Sequence, residues 1–463
     1  MHYVSTRGRA PELGFADVLL AGLADDGGLY VPENWPSLPL QLPSGLAYAD
    51  VAVAVMAPFV GDDIDPVVLG GFCRDAYATF THPAVCPLVQ LDANHWLAEL
   101  FHGPTLAFKD VALQLVGRLF DHVLGERGRR VTIVGATSGD TGSAAIDGVK
   151  GCEHVDIVIL YPEGRVSEVQ RRQMTTVDAP NVHTVAVAGT FDDCQDLVKA
   201  MFADVAFRER VQLSAVNSIN WARVMAQIVY YVTSSMAVGG GPGGRAVSFS
   251  VPTGNFGNVL SGWVAHRMGL AVEQFVVGSN RNDILTRFLH SGIMATSTVV
   301  PTLSPSMDIQ VSSNFERLLF ELNHRDGGMT TEQLQRFRTT GTLLLETDQF
   351  ELVTSQFAGH RVDDDDTLAT MARIHRTTGQ LIDPHTAVGI AAAEARWQDR
   401  DVPMITLATA HPAKFPDAVE KATGVRPELP AHLADLLDRP ERTRLVANDL
   451  TAVEALVGAL VGR

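Results

Sequence analysis

A lysine with apolar neighbours is the residue best suited to covalent chemistry in this sequence. Lys109 follows Phe108 and opens the helical pattern of residues 110–118, and the four residues before it are apolar or small. Loss of water from such an amine lowers its pKa and leaves it neutral and nucleophilic, which is the condition for condensation with an aldehyde cofactor. Since a lysine at a helix start is usually exposed, the alternative interpretation is a surface side chain.

A glycine-rich turn in the second half of the chain has the composition of a phosphate-binding loop. An apolar strand ends at Val251 and a helix begins near Val259. Backbone amides at such a helix start can bind an anion, and glycine lets the anion approach closely. The residues concerned are Gly254, Asn255, Phe256, Gly257 and Asn258. The alternative is a tight turn without a ligand, because strand-glycine-helix turns are common.

A second loop of this kind follows the strand that ends at Val134 and opens a helix from Ser143. Hydroxyl groups accompany its amides, so the loop could hold a carboxylate or a second phosphate. Its candidate binding residues are Thr137, Ser138, Gly139, Asp140 and Thr141. The alternative is that Ser138 or Asp140 only caps the helix, although capping and binding are compatible.

Thr409 stands directly after another predicted strand, residues 402–407. The carboxyl ends of strands in open parallel sheets face the ligand crevice. A neutral hydroxyl opposite a pyridine nitrogen would leave that ring less electron-withdrawing than an aspartate would, which favours eliminations. Alternatively, Thr409 caps a turn before Pro412, and the spacing does not separate these two interpretations.

The elements that must position these residues form two α/β units. From Val131 onward, short apolar runs rich in β-branched residues alternate with helical stretches, which predicts parallel sheets covered on both faces. Gly239–Gly244 is too rich in glycine for a regular element and is interpreted as the boundary between the units. The predicted domains are a mainly helical N-terminal extension at residues 1–95, a first α/β domain at 96–238 and a second at 245–463. The fold class is therefore α/β, with two doubly wound domains of parallel or mixed sheets.

The composition excludes several classes of function. A net charge of -17, from 36 basic and 53 acidic residues, repels nucleic acid and anionic membranes alike, so neither is an expected partner. The first residues lack the apolar core of a secretory signal, and no stretch approaches the ~20 apolar residues of a membrane span. The four cysteines are far apart and form no Cys-x-x-Cys pair, so neither disulfides nor a zinc site are expected. A soluble cytoplasmic protein without a metal is predicted.

Several segments together carry a family resemblance. They are residues 3–8, 23–32, 99–110, 136–143, 161–170, 189–195, 217–223, 252–258, 304–310, 383–389 and 409–415. In this order they closely resemble the threonine synthase family, in its longer form with an N-terminal extension. The match spans nearly the whole chain, and so many segments in order make it specific.

The resemblance implies a pyridoxal-phosphate enzyme of the tryptophan-synthase-like fold (fold type II), with the cofactor in the cleft between the two α/β domains. The implied reaction converts O-phospho-L-homoserine and water into L-threonine and phosphate, the last step of threonine biosynthesis. Carried over by position, Lys109 is the Schiff-base lysine, residues 254–258 hold the cofactor phosphate and Thr409 faces the pyridine nitrogen. Residues 138–141 would lie near the substrate carboxylate. Lys109, displaced by the substrate amine, would then be the base that moves protons.

The leaving phosphate of such a substrate needs cationic or amide donors. Arg165, Arg223 and Lys414 lie in family-like segments and are predicted as a group to supply them. Taken singly, each is better explained as a surface charge or an ion-pair partner. The sequence leaves the oligomeric state open between a monomer and a homodimer.

Three other functions compete with this one. The nearest is another pyridoxal lyase of the same fold, such as a serine or threonine dehydratase; the N-terminal extension and the segments 217–223, 304–310 and 383–389 argue against it. A dinucleotide-binding protein would use the glycine loops for pyrophosphate, but neither loop has the Gly-x-Gly-x-x-Gly spacing. The third is a non-catalytic binding protein, because a fold alone does not prove activity. The intact lysine and loops favour an enzyme.

Overall fold

Apolar runs form strands that are as buried as their composition predicts. The computed structural model describes residues 1–39, 42–43, 45–137, 139–214 and 218–462. All residues of the strands Val155–Pro162 and Val247–Pro252 are buried, so both faces of these strands are covered. The strands of the described chain are β1 (Tyr3–Ser5), β2 (Tyr30–Pro32), β3 (Leu88–Gln90), β4 (His95–Glu99), β5 (Val131–Ala136), β6 (Val155–Pro162), β7 (Val182–Ala188), β8 (Leu213–Ser214), β9 (Val247–Pro252), β10 (Val272–Ser279), β11 (Ile293–Ala295), β12 (Thr342–Leu344), β13 (Phe357–Arg361), β14 (Met404–Ala408) and β15 (Arg444–Ala447).

Several helices begin after a residue whose side chain accepts hydrogen bonds from their first amides. One example is Asp363, whose side chain accepts hydrogen bonds from the amides of Asp365 and Asp366. The described α-helices are α1 (Phe15–Ala21), α2 (Tyr48–Val60), α3 (Pro66–Tyr77), α4 (Lys109–Glu126), α5 (Asp140–Val149), α6 (Glu168–Thr175), α7 (Phe191–Ala203), α8 (Val205–Val211), α9 (Trp221–Ala237), α10 (Gly257–Arg267), α11 (Ile284–Ser291), α12 (Phe315–Leu322), α13 (Gly327–Thr340), α14 (Thr347–Thr354), α15 (Asp364–Thr378), α16 (Pro384–Arg396), α17 (Pro416–Thr423) and α18 (Leu450–Leu460). Short 3-10 helices span Gly61–Asp63, Pro305–Met307, Pro412–Lys414 and Ala431–Leu433. Among the described residues, no helix has the length and apolar character needed to cross a membrane.

The first compact unit contains Met1–Arg74, Phe80–His102 and Ser218–Pro427. Its described strands form a 6-stranded sheet in the order β13-β10-β9-β14-β4-β3. Only β3 runs antiparallel to its neighbour, so the sheet is mixed. Helix α16 packs along β9, β10 and β14, and helix α10 packs on β9 and β10. Because β9 and β14 are parallel neighbours, the segments that follow them leave the sheet at the same edge.

The second compact unit contains Asp75–Thr79, Gly103–Asn217 and Glu428–Arg463. Its described strands form a parallel 5-stranded sheet in the order β15-β7-β6-β5-β8. Apolar side chains of β6 and β7 pack against residues of α7, α8 and α18. Helix α4 packs on α5, which places the start of the lysine-bearing helix beside the second glycine loop. The predicted α/β class with two parallel or mixed sheets is confirmed.

The glycine-rich segment Gly239–Gly244 does not separate these two units. It lies inside the first unit, where it joins α9 to β9. The Gly240 amide donates to the Ser235 carbonyl at 2.8 Å and the Gly241 amide to the Ser235 hydroxyl at 2.9 Å. A Cβ on Gly240 would lie 2.3 Å from that hydroxyl oxygen. The glycines are therefore needed for a close turn onto the end of α9, and the composition that suggested a flexible link has this other cause.

The remaining predicted boundaries also differ from the compact units. The segment 1–95, predicted as mainly helical, contains α1 to α3 but also β1, β2 and β3, and β3 continues the sheet of the first unit. Residues 428–463, predicted as the end of the second α/β domain, add β15 and α18 to the unit that contains Lys109. Strand pairs with distant partners leave no local pattern, so consecutive segments were a poor guide to the units.

Candidate active site

Lys109 is the first residue of α4, and its side chain is buried as predicted. Only 8% of the residue is exposed to solvent. Its Nζ lies 3.5 Å from Asp140 Oδ2 and 5.1 Å from the centre of the Phe108 ring. The interpretation as an exposed surface lysine is therefore wrong.

A tight turn before α4 fixes the way in which the chain enters this helix. Asp110 accepts hydrogen bonds from the Thr105 amide at 2.8 Å and from its hydroxyl at 2.6 Å. Leu106 has a left-handed φ of 63°. A Cβ on Gly103 would lie 2.5 Å from the Asp110 side chain, so the turn requires glycine at this position. The residue next to Lys109 therefore holds the turn that positions it.

Asp140 links the lysine to helix α6. It is the first residue of α5, where the helix N-terminus favours a negative charge. Its Oδ1 accepts a hydrogen bond from Gln170 Nε2 at 2.8 Å, while Oδ2 is the atom that lies near Lys109. Gly139 has a φ of 140°, and a Cβ there would lie 2.6 Å from Gln170. Asp140 is thus a buried carboxylate that can stabilise a proton on the Lys109 amine.

The second glycine loop uses part of its hydrogen-bonding capacity internally. The Thr137 hydroxyl accepts from the Gly139 amide at 3.0 Å and from the Gly142 amide at 2.9 Å. The N-cap of α5 is Gly139, and Asp140 lies within the helix, so the interpretation of Asp140 as the cap is wrong. Thr141 lies in the first turn of α5 and is partly exposed. Ser138, also predicted to bind or cap, lies outside the described residues.

The first glycine loop, residues 254–258, has a row of backbone amides at the start of α10. Phe256 has a left-handed φ of 63°, and its ring packs against Phe315 and Phe357 at centroid distances of 5.7 and 5.9 Å. Within the described ranges, the amides of residues 254–258 have no acceptor in the protein. A Cβ on Gly254 would lie 2.7 Å from the Ser306 carbonyl oxygen. Free amides beside a glycine that tolerates no side chain fit a bound phosphate.

Asn258 adds a side-chain donor to this loop. Its Oδ1 accepts hydrogen bonds from the hydroxyls of Tyr230 at 2.6 Å and Tyr231 at 2.8 Å. Its Nδ2 is buried and has no partner in the described part of the chain. The two tyrosines fix the orientation of the amide, so the unpaired donor is available to a ligand.

Thr409 follows β14 directly and is 7% exposed. The loop 254–258 follows β9, and β9 pairs with β14 in parallel register, with Thr406 beside Ser250. Both candidate cofactor contacts therefore lie at the carboxyl edge of the same sheet, as predicted for a ligand crevice.

The three cationic candidates differ in burial. Arg223 is 4% exposed, and its Nε and Nη1 are buried without a partner among the described residues. Burial lowers the pKa of Arg223 to about 10. Lys414 is fully buried in the 3-10 helix Pro412–Lys414, whereas Arg165 is exposed after β6. The surface interpretation therefore holds for Arg165 and fails for the other two residues.

Sequence reasoning missed the side chains that support these groups. Gln170 lies in a family-like segment, and that membership is a signal by which it could have been found. Tyr230, Tyr231 and Asn314 lie outside every such segment, and their hydrogen bonds to residues 255–258 appear only in the folded chain. In the described part of the structure, no group of three His, Cys, Asp or Glu side chains could hold a metal ion.

Comparison with known sequence families covers the chain from end to end. The family "Threonine synthase N terminus" matches residues 2–77, "Pyridoxal-phosphate dependent enzyme" matches residues 81–407, and "Threonine synthase, C-terminal" matches residues 386–457. A threonine synthase from Pseudomonas aeruginosa is 54% identical over 461 residues, which cover 99% of this chain and 98% of that protein. The chain belongs to the threonine synthase family.

Solved structures of the threonine synthase family agree with this assignment. A pyridoxal-phosphate-bound threonine synthase from Brucella melitensis is 51% identical, covers 100% of both chains and superimposes with a TM-score of 0.98. A threonine synthase from yeast is 40% identical, with a TM-score of 0.95 over 100% of this chain and 99% of that one. The resemblance seen in the sequence is confirmed, and the chain is a member of a pyridoxal-phosphate-dependent enzyme family.

Proposed function

We propose that this chain converts O-phospho-L-homoserine and water into L-threonine and phosphate, with pyridoxal phosphate as its cofactor. Membership of the threonine synthase family supports the reaction. The observation that carries the proposal for this chain is the buried Lys109 amine beside the Asp140 carboxylate. A lysine in this setting has the chemistry of a covalent cofactor anchor and of a base.

The residues proposed to hold the cofactor are Lys109, the loop of residues 254–258 and Thr409. Lys109 attaches the cofactor through its aldehyde. The amides of residues 254–258 and Asn258 Nδ2 bind its phosphate, and the Thr409 hydroxyl faces its pyridine nitrogen. When bound, pyridoxal phosphate withdraws electrons from the substrate carbon that carries the amine, which makes the proton there acidic.

Lys109 is also proposed to move the protons of the reaction. Once the substrate amine has displaced it, its Nζ takes the proton from Cα and then one from Cβ, after which phosphate leaves from Cγ. Cγ takes up a proton in place of the phosphate, and water adds its OH at Cβ while its remaining proton goes to the released phosphate. Lys109 then returns a proton to Cα. Asp140 Oδ2, at 3.5 Å, stabilises each protonated form of the amine. For this reason we assign Asp140 to the lysine, although its position in the loop first suggested substrate binding.

The remaining candidates are assigned to the anionic groups of the substrate. Arg223 and Lys414 are proposed to bind the substrate phosphate, because both are buried cations. Arg165 is retained as a weaker candidate for the same group. Thr137, Ser138, Gly139 and Thr141 are proposed to lie near the substrate carboxylate.

A pair of lysine variants tests the central assignment. We expect Lys109→Ala to form no threonine from O-phospho-L-homoserine, because both the anchor and the base are lost. The matched control is Lys199→Ala, since the Lys199 side chain is 73% exposed. It should keep full activity. Borohydride reduction and peptide mass mapping of the unmodified enzyme should place the cofactor mass on Lys109, and threonine formation by Lys109→Ala would contradict the assignment.

The reaction itself is tested by measuring two products. We expect phosphate release from O-phospho-L-homoserine and no ammonia release from threonine. Release of ammonia alone would show that the enzyme is a dehydratase. If neither phosphate nor ammonia is released, the result would favour a binding protein. We also propose that the enzyme acts in the cytoplasm, which the four scattered cysteines support, and that it is a monomer or a homodimer.

A further inference from the structure

The carbonyl groups of the first glycine loop are held by a segment that lies more than fifty residues further along the chain. The Gly254 carbonyl accepts a hydrogen bond from the Ser312 hydroxyl at 2.8 Å. The Asn255 carbonyl accepts from both the amide and the Nδ2 of Asn314, each at 3.1 Å. In a planar trans peptide, the N–H of the next residue points away from the carbonyl. The clamp on these two carbonyls therefore turns the amides of Asn255 and Phe256 toward the opposite side.

The side chain of Asn314 can make this contact in one orientation only. Arg317 Nη1 donates to Asn314 Oδ1 at 2.5 Å, and an arginine has no acceptor. The other end of the amide, Nδ2, must then face the carbonyls of Asn255 and Ser218, which it meets at 3.1 Å each. Arg317 thus determines which atom Asn314 presents to the loop.

Arg317 in turn depends on the N-terminal part of the chain. Its Nε donates to the Tyr30 carbonyl in β2 at 3.0 Å, and its Nη2 donates to the Ile219 carbonyl at 2.6 Å. The guanidinium also lies over the Trp221 ring, 5.7 Å from its centre. The residue is 2% exposed, so each of these contacts is sheltered from water.

The neighbouring residue of α12 makes a second contact with the N-terminal part. Glu316 Oε1 accepts from the Thr6 hydroxyl at 2.6 Å, and both Glu316 oxygens accept from the Arg7 guanidinium at 3.2 Å. Thr6 also accepts from the Leu29 amide at 2.8 Å, which ties β1 and β2 together at the same point. The start of α12 therefore contacts the β1–β2 region through Glu316 and Arg317, and it contacts the loop of residues 254–258 through Asn314.

We propose that Asn314 and Arg317 are positioning residues for the phosphate loop, and that the β1–β2 pair sets the affinity for the cofactor phosphate through them. The inference rests on the proposed role of residues 254–258 as the phosphate site. It gives the N-terminal segment a function in cofactor binding in addition to packing. Without Asn314 Nδ2 the Asn255 carbonyl keeps only the Asn314 amide as a donor, so the Asn255 peptide can rotate and the loop amides are no longer directed at one point.

The experiment compares two ligands that differ only in the phosphate. Apoenzyme prepared from the full chain is titrated with pyridoxal phosphate and with pyridoxal. We expect Asn314→Ala to weaken pyridoxal phosphate binding at least 10-fold and to leave pyridoxal binding within 2-fold. Asn314→Ser, which keeps a polar side chain at the start of α12 but removes Nδ2, serves if the alanine variant does not fold.

The matched control is Asn323→Ala, at the other end of α12. Asn323 is 2% exposed, and its Nδ2 donates to Thr330 Oγ1 at 3.0 Å and to Gln333 Oε1 at 2.8 Å. Its loss should lower the melting temperature about as much as the loss of Asn314, while the affinity for pyridoxal phosphate stays within 2-fold. If both asparagine variants weaken the two ligands equally, the effect is general destabilisation and the inference is overturned.

The N-terminal link is tested with Thr6→Val, which removes both the hydroxyl donor to Glu316 and the acceptor for the Leu29 amide. We expect pyridoxal phosphate binding to weaken about 3-fold, with pyridoxal unchanged, and an unaltered affinity would overturn the part assigned to β1 and β2. A separate outcome bears on the proposed function. If the unmodified enzyme binds both ligands equally well, residues 254–258 are not the phosphate site. If it prefers pyridoxal phosphate and Asn314→Ala retains that preference, only the positioning inference is wrong.

Discussion

Two buried arginines, each in the first turn of a helix, are treated very differently by the fold. Arg317 in α12 uses Nε, Nη1 and Nη2 to donate to three acceptors. Arg223 in α9 leaves Nε and Nη1 without a partner among the described residues. Burial lowers the pKa of both, to about 9 for Arg317 and about 10 for Arg223. Both residues carry a cost of desolvation, and among the described residues Arg317 offsets this cost with three hydrogen bonds while Nε and Nη1 of Arg223 have no acceptor.

The difference separates a structural cation from one that is available to a ligand. Buried polar groups in folded proteins are almost always hydrogen-bonded, so an exception requires an explanation. For Arg223 the explanation proposed above is a substrate phosphate. Asn258 has both kinds of group in one side chain, because its Oδ1 accepts from two tyrosines while its Nδ2 has no partner in the part of the chain that the structure describes.

The largest effect on stability is expected at Arg317, the arginine that donates to three acceptors. Arg317→Met removes the arginine donors to the Tyr30 carbonyl, the Ile219 carbonyl and Asn314 Oδ1, so we expect a loss of about 3–5 kcal/mol. Denaturant titration measures this loss. The control is Arg210→Met, because Arg210 is exposed and its guanidinium lies 5.4 Å from the Phe207 ring centre; its effect should stay within about 0.5 kcal/mol. If Arg317→Met and Arg210→Met lower the free energy of unfolding equally, the hydrogen bonds of Arg317 do not have the structural role assigned to them.

At Arg223 the effect should fall on catalysis and spare stability. Arg223→Met removes a buried charge whose Nε and Nη1 have no partner among the described residues, so the ligand-free protein should be as stable as before or gain about 1 kcal/mol. In contrast, kcat/KM for O-phospho-L-homoserine should fall about 100-fold, or about 2.7 kcal/mol, because the phosphate loses a charged donor. Steady-state kinetics measure the predicted fall in kcat/KM, and denaturant titration measures the predicted stability. If Arg223→Met loses stability but keeps its kcat/KM, Arg223 is a structural cation like Arg317 and does not bind the substrate.

The smallest effect is expected from a change beside Asn258, the side chain in which only Oδ1 is hydrogen-bonded. Tyr231→Phe removes the donor to the Asn258 carbonyl, which it meets at 2.9 Å, and one of the two donors to Oδ1. Tyr230 still fixes the amide, so we expect a loss of about 1 kcal/mol in stability and little change in cofactor affinity. A large fall in cofactor affinity would show that one tyrosine alone cannot orient Asn258.

The same contrast explains what the sequence could predict. Lys109, the two glycine loops and the strands that precede them follow local rules of burial and periodicity, and the structure contains each of them where the pattern indicated. The orientation of the loop carbonyls depends on Ser312 and Asn314, which no local rule connects with residues 254 and 255. The pairing of β15 with β7 is equally distant in sequence and was not predicted.

Local composition was misleading where one residue type has two uses. Gly239–Gly244 has the composition of a flexible link, but its glycines are required by a turn onto Ser235. Asp140 has the position of a helix cap or substrate ligand, but its carboxylate lies beside Lys109. Arg165 and Arg223 both lie in family-like segments, and only the fold shows that the first is exposed and the second buried. In each case a contact or the burial of a side chain decided between the alternatives, and both are properties of the folded chain.

The measurement that tests the two-arginine account most directly is the thermal shift that inorganic phosphate causes in the holoenzyme. The cofactor already occupies its own phosphate site there, so added phosphate reports on other anion sites, with chloride at equal ionic strength as the control. We predict that phosphate raises the melting temperature of the unmodified enzyme and of Arg210→Met by about 1 °C or more, and that Arg223→Met shows no shift. An equal shift in Arg223→Met would contradict the claim that this arginine is kept unpaired for an anionic ligand.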